Sequence, residues 1–153
     1  MSNAILTKSQ LAQWGEVLLR VYDFLKANPT DNPWVEASLS YCASQGYLFV
    51  TKEEGVISGV AIIGPISWKT LSLTKGNVFP HDFESGGEVL AGIYMFIDSK
   101  YRKGEGLIRF QQIKDQAVLA FPNATHMTFN RSCRNDMRPR VWKLAKQENS
   151  NVK

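Results

Sequence analysis

Residues 89–97 read Val89-Leu90-Ala91-Gly92-Ile93-Tyr94-Met95-Phe96-Ile97, and a basic segment with two glycines follows, Lys100-Tyr101-Arg102-Lys103-Gly104-Glu105-Gly106. The first segment has no polar alternation, so it reads as a strand buried on both faces in the middle of a sheet. From Leu107 the period changes: Leu107, Phe110, Ile113, Ala117, Val118 and Phe121 recur every three or four residues. Polar side chains fill the other face, as in an amphipathic helix that Pro122-Asn123 ends. The connection between them is short, basic and glycine-containing. Two glycines one residue apart allow a tight turn with converging N–H groups, and the helix N-terminus behind them adds partial positive charge. A phosphate or pyrophosphate suits such a place, and Lys100, Arg102 and Lys103 would strengthen it. Gly-x-Gly alone is a weak signal, and on it alone an ordinary strand-to-helix connection with solvated basic residues is the better reading.

Working outward, Thr7-Lys8-Ser9-Gln10 has capping-box spacing ahead of a stripe of Leu11, Trp14, Leu18, Val21 and Leu25, which gives a first helix over about residues 8–27. Asn32 and Pro33 open a second helix that ends near Gln45-Gly46. Tyr47–Thr51 and Val56–Ile63 read as a hairpin closed by Glu53-Glu54-Gly55, and Gly64-Pro65 ends its second strand. Residues 66–87 carry Gly76, Pro80, Gly86 and Gly87 and show no regular period; His81, Asp82 and Glu84 read there as solvated loop residues. His126–Phe129 is a further short strand, and Pro139 places a last helix at about 138–148. The expected order is helix, helix, strand, strand, strand, helix, strand, helix. This is an α/β (α+β) arrangement in three α/β/α layers with a mixed central sheet, in which residues 89–97 and 126–129 are parallel neighbours joined by a right-handed crossover.

With 153 residues, 44% apolar and 21% charged, the chain supports one domain, expected over 5–148 with a polar tail at 149–153. A net charge of +4 suits an anionic small ligand, a nucleic acid, or no particular partner. No apolar run reaches membrane-span length and no signal segment is evident, so the expected location is cytoplasmic. Cys42 and Cys133 have no ligand spacing with the two histidines and read as free thiols, with no metal site. Ser2-Asn3-Ala4 resembles a cloning remnant and is set aside from the fold.

The order Ile97-Asp98-Ser99-Lys100-Tyr101-Arg102-Lys103-Gly104-Glu105-Gly106-Leu107 resembles the pyrophosphate loop of the GNAT superfamily of N-acetyltransferases. Asn135, Arg138, Trp142 and Lys143-Leu144 resemble its C-terminal motif. The pattern departs at Tyr101, where the family has Gln or Arg, and at Trp142, where it has the Tyr that protonates the departing thiolate; an indole N–H is no such acid. Few residues remain for the two strands that follow in that family. The resemblance implies the element order above, acetyl-CoA or coenzyme A as cofactor, and acetyl transfer to an amine of unknown identity. It implies cofactor contacts from Met95, Phe96, Ile97, Tyr101, Arg102, Lys103, Gly104, Glu105, Gly106, Leu107 and Asn135. A backbone N–H near Met95–Ile97 would stabilise the oxyanion. Glu88 is the candidate base, and Tyr101 an alternative proton donor. Acceptor contacts are expected from residues 26–34 and 66–87, and the short sheet leaves an edge that a second copy would cover.

Two other readings stay open. The departures at Tyr101 and Trp142 fit a catalytically inactive binding protein on the same fold. The cluster Arg131, Arg134, Arg138, Arg140, Lys143 and Lys146 fits nucleic-acid phosphates less well than a solvated helix face, because only Trp142 supplies aromatic interleaving.

Overall fold

The structure, a computed structural model, describes residues 2–5, 14–27, 34–53, 55–75, 77–97, 106–130 and 141–144. In chain order they form β1 (Ser2–Ile5), α1 (Trp14–Ala27), α2 (Trp34–Gln45), β2 (Leu48–Glu53), β3 (Val56–Ile66), α3 (Trp68–Thr74), a 3₁₀ turn (Pro80–Asp82), β4 (Val89–Ile97), α4 (Gly106–Ala120), β5 (His126–Phe129) and β6 (Val141–Lys143). The strands follow one another as β1-β2-β3-β4-β5-β6 in one sheet. It is mixed: β1 and β2, β2 and β3, and β5 and β6 pair antiparallel, while β4 and β5 pair parallel. The expected α/β class and the parallel crossover through α4 are therefore present. The chain groups into two compact units, residues 1–63 with 94–120 and residues 64–93 with 121–153.

In the first unit α2 packs against β2, and α4 packs against β1 and β2. Four successive residues of β2, Leu48 to Thr51, are buried, which requires cover on both faces. Buried Thr51 and Ser58 satisfy each other by a 2.8 Å hydroxyl contact across the hairpin, where a bulge at Thr51/Lys52 shifts the register. Gly55 turns the hairpin at φ +81°. The end of α2 is a Schellman cap: Gly46 takes φ +83°, its N–H reaches Ala43 O, and the Tyr47 N–H reaches Cys42 O at 2.8 Å.

In the second unit β3 continues through Gly64-Pro65 to Ile66, three residues beyond the expected end. Position 64 must be small, because a Cβ there would meet the Phe83 ring at 2.4 Å. The Pro65 carbonyl is paired with the Glu84 N–H at 2.8 Å. Residues 66–87 are more ordered than their sequence suggests. Ser67 caps α3, its hydroxyl accepting from the Thr70 N–H at 3.0 Å while its own N–H donates to the Glu84 carboxylate at 3.0 Å. Asp82 likewise accepts from the Phe79 N–H at 2.9 Å, so two of the carboxylates expected to be solvated hold backbone instead. Gly87 lies where a Cβ would strike the Ile66 backbone at 2.5 Å.

Three further expectations change. Ser2-Asn3-Ala4, set aside as a remnant, pair with Val50–Lys52 in β1. The last helix expected at 138–148 gives way at 141–143 to β6, paired antiparallel to β5. Val141 is β-branched and Trp142 aromatic, and both suit a strand. The capping box at residues 7–10, Cys133 and the tail at 149–153 lie outside the described residues.

Cys42 is fully buried on α2, and burial pushes its thiol from 9.0 to about 11, only partly offset by the Ser38 hydroxyl. The folded thiol ionises later than the unfolded one, so its contribution is intact below pH 9 and lost as pH rises towards 11. That displacement corresponds to about 3 kcal/mol. Tyr47, raised mainly by burial, acts in the same direction above pH 10. Urea unfolding should therefore show stability falling between pH 9 and 11, with a shallower fall in Cys42→Ala; equal slopes would exclude the thiol as its source.

Candidate functional site

The buried strand ends as the sequence indicates, with Met95, Phe96 and Ile97 half-buried. In the first unit the Phe96 ring meets Phe24 of α1 edge-on at 5.9 Å. Gly59 of β3 keeps the neighbouring backbone close, since a Cβ there would lie 3.4 Å from both Phe96 O and an Ile97 methylene. The helix after the loop starts at Gly106 and runs fifteen residues, so its first-turn N–H groups have no acceptor within the helix and its dipole turns its positive end towards the loop. Lys100, Tyr101, Arg102, Lys103, Gly104, Glu105 and Asn135 lie outside the described residues, as does the Leu107 side chain. An open pocket of about 350 Å³ lies between α1 and the β2–β3 turn, lined by Arg20, Asp23, Phe24, Gly55, Val56 and Ile57.

The second unit holds the other end of β4. Its ladder with β5 has four residue pairs, from Val89 with His126 to Gly92 with Phe129, and the Asn130 N–H closes it on Gly92 O at 2.9 Å. Gly92 is opposite a large side chain for a steric reason: a Cβ would lie 2.4 Å from the Phe129 ring. Phe129 in turn meets Trp142 of β6 edge-on at 5.9 Å. Asn130 is buried, and its amide clamps the buried Val78 backbone, accepting from the N–H at 3.0 Å and donating to the carbonyl at 2.7 Å.

Glu88 immediately precedes β4, at the opposite end of the strand from Met95–Ile97. It is exposed, and its carboxylate accepts from the Trp68 indole N–H at 3.1 Å. Its carbonyl accepts from the N–H groups of Thr125 at 2.8 Å and His126 at 3.2 Å. The His126 ring stands edge-on to Trp68 at 4.8 Å, with Nδ1 2.8 Å from Thr125 Oγ1. Sequence reading singled out Glu88 but not Trp68, Thr125 or His126, because three separate segments bring them together. Trp142 is 42% exposed on an edge strand and not in the helix that was expected to carry it.

No protein-family model matches the chain, and no curated protein sequence matches it. Solved structures do. A GNAT-like decarboxylase, GphF, in complex with isobutyryl-CoA, superposes with a TM-score of 0.60 at 17% identity, over 84% of this chain and 65% of that one. The polyamine N-acetyltransferase of Drosophila melanogaster gives 0.51 at 13% identity, over 84% and 74%. The chain has the GNAT fold. The loading domain of CurA from Lyngbya majuscula, described as GNATL, gives 0.49 at 13% identity over 84% and 63%. The chain thus spans less than two thirds of the GphF and CurA structures. This likeness fixes the architecture that the loop resemblance implied, divergent in sequence from its structural neighbours.

Asn130→Ala would leave two backbone groups of buried Val78 without partners, at about 1–3 kcal/mol each. A loss of about 3 kcal/mol is expected in urea unfolding. Asn130→Asp, which keeps the acceptor but turns a charge on the Val78 carbonyl, should fare no better; wild-type stability in both would show that the clamp is dispensable.

Proposed function

We propose that this chain is an acyltransferase that uses a coenzyme A thioester, acetyl-CoA in the first instance, to acylate an amine. The observation that carries the reading is the buried strand β4 followed, after eight intervening residues, by α4 opening on Gly106, with Lys100, Arg102, Lys103 and Gly104 between them, on the GNAT fold. The donor set fits the ligand. A pyrophosphate needs converging N–H donors and cationic side chains, and a fifteen-residue helix behind a basic, glycine-containing segment offers both. Structural neighbours support the same ligand class, since GphF was solved with isobutyryl-CoA and the Drosophila protein is a polyamine acetyltransferase.

Gly104, Gly106 and the basic residues would hold the phosphates, and Met95–Ile97 would lie beside the thioester arm with a backbone N–H towards the developing oxyanion. Tyr101 is retained as a proton donor for the departing thiolate, because the motif position that normally holds Tyr carries Trp142. The Arg20–Asp23 pocket, with charged groups of both signs beside apolar Phe24, Val56 and Ile57, lies on the same unit as the end of β4.

Calorimetric titration with acetyl-CoA, isobutyryl-CoA and coenzyme A tests this directly. Saturable binding is expected, weakened at least ~30-fold, or about 2 kcal/mol, by Gly104→Val or Gly106→Val, which would put a side chain into the phosphate site. Absence of binding at millimolar ligand would mean that the fold is kept without its cofactor, and equal affinity in both variants would remove the loop from the site.

A further inference from the structure

The pocket of the first unit is built on one stripe of α1. Arg20, Asp23 and Phe24 stand at positions i, i+3 and i+4, which share a helix face, and Gly55 of the β2–β3 turn with Val56 and Ile57 at the start of β3 complete the lining. Phe24 and Ile57 are buried, while Arg20, Asp23 and Val56 are exposed. The cavity therefore has an apolar floor and a charged rim.

Two contacts join this pocket to the end of β4, which the acyl-transfer reading puts beside the thioester. Phe24 lines the cavity, and its ring meets Phe96 edge-on at 5.9 Å. Ile57 lines it from β3, and two residues further along that strand Gly59 lies so near β4 that a Cβ would stand 3.4 Å from both Phe96 O and an Ile97 methylene. All of these residues belong to one compact unit.

The lining sets what can occupy the pocket. A volume of about 350 Å³ holds a metabolite-sized molecule. The charged rim consists of one cation and one anion, Arg20 and Asp23, a single helical turn apart, roughly 5–6 Å between Cβ atoms. A ligand that satisfies both carries a carboxylate and an ammonium close together, and one that also covers Phe24, Val56 and Ile57 carries an apolar side chain. A polyamine has no group for Arg20. The guanidinium presents five N–H donors, so it takes a ligand carboxylate beside the contact it makes within the protein.

We propose that this pocket binds the acyl acceptor and that the acceptor is a free α-amino acid with an apolar side chain, its carboxylate on Arg20 and its ammonium on Asp23; this rests on the acyl-transfer reading above. The ammonium loses one proton to solvent, and its nitrogen forms the C–N bond at the thioester carbonyl. The C–S bond breaks with its electron pair on sulfur. The second proton shed by that nitrogen goes to the thiolate, giving the N-acyl amino acid and free coenzyme A.

The probes are L-leucine, L-isoleucine, L-methionine and L-phenylalanine, each beside its own amide, which keeps the amine and lacks the carboxylate. Binding is read by calorimetry on protein saturated with coenzyme A, and turnover as release of coenzyme A thiol from acetyl-CoA. At least one amino acid should bind saturably and be preferred over its amide about 10-fold or more. Arg20→Gln should reduce that preference about 10-fold in affinity and in kcat/KM, and Asp23→Asn should weaken binding of the amino acid by a similar factor. Both positions are exposed on α1, so neither change opens the core. Protein that holds coenzyme A but binds none of the four amino acids, or accepts the amides equally well, or keeps its preference in Arg20→Gln, would overturn the amino-acid acceptor. Thiol release with simple alkylamines would then leave acyl transfer standing, whereas a protein that binds neither coenzyme A nor acetyl-CoA would overturn both.

Discussion

The Phe129 ring fills the space where a side chain on Gly92 would stand, and the second unit is built on that approach. A ring seated over a glycine lets β4 and β5 pair in register as far as Gly92, and the next N–H, that of Asn130, closes the ladder. The same short strand then does two further things. Its aromatic ring meets Trp142 and so helps to hold β6, and the Asn130 amide leaves the strand end to clamp Val78. Close approach recurs at Gly64 under Phe83 and at Gly87 against the Ile66 backbone. Strands buried on both faces, as β3 and β4 are, have no solvent side on which to place bulk, so glycine is the residue that admits the neighbour.

That constraint explains which parts of the fold were legible in the sequence. The buried run at 89–97, the change of period at Leu107 and the turn at Gly55 are local signals, and each element appears where it was expected. The Gly46 cap also ended α2 at its expected position. Failure came where the deciding partner is distant. α3 buries none of its residues and so has no hydrophobic stripe; it is defined by Ser67 at its cap and by Glu84, seventeen residues away, on the Ser67 N–H. β6 is a three-residue strand with every residue exposed, and its place depends on pairing with β5, which is distant in sequence. A proline two residues before it imitates a helix start, and nothing local contradicts that reading.

The residues considered for function divide in the same way. Strand β4 and helix α4 are periodic and were readable, whereas the separate cluster around His126 was not, because Trp68, Glu88 and His126 have no common spacing. Only pairing of β4 with β5 brings positions 88 and 126 together. An isolated glutamate before a strand gives no local hint of its folded partners: the carboxylate accepts from the Trp68 indole, and the carbonyl accepts from two backbone N–H groups and the Thr125 hydroxyl.

A fold shared by a decarboxylase and a polyamine acetyltransferase does not by itself select a reaction. The two reactions ask different things of a protein. Decarboxylation must stabilise charge left by a departing carboxyl, while amine acylation must first remove a proton from a nitrogen that is protonated at neutral pH. In the second unit the Glu88 carbonyl and the Thr125 hydroxyl hold the His126 imidazole at the start of β5, on the same strand pairing that makes position 92 a glycine.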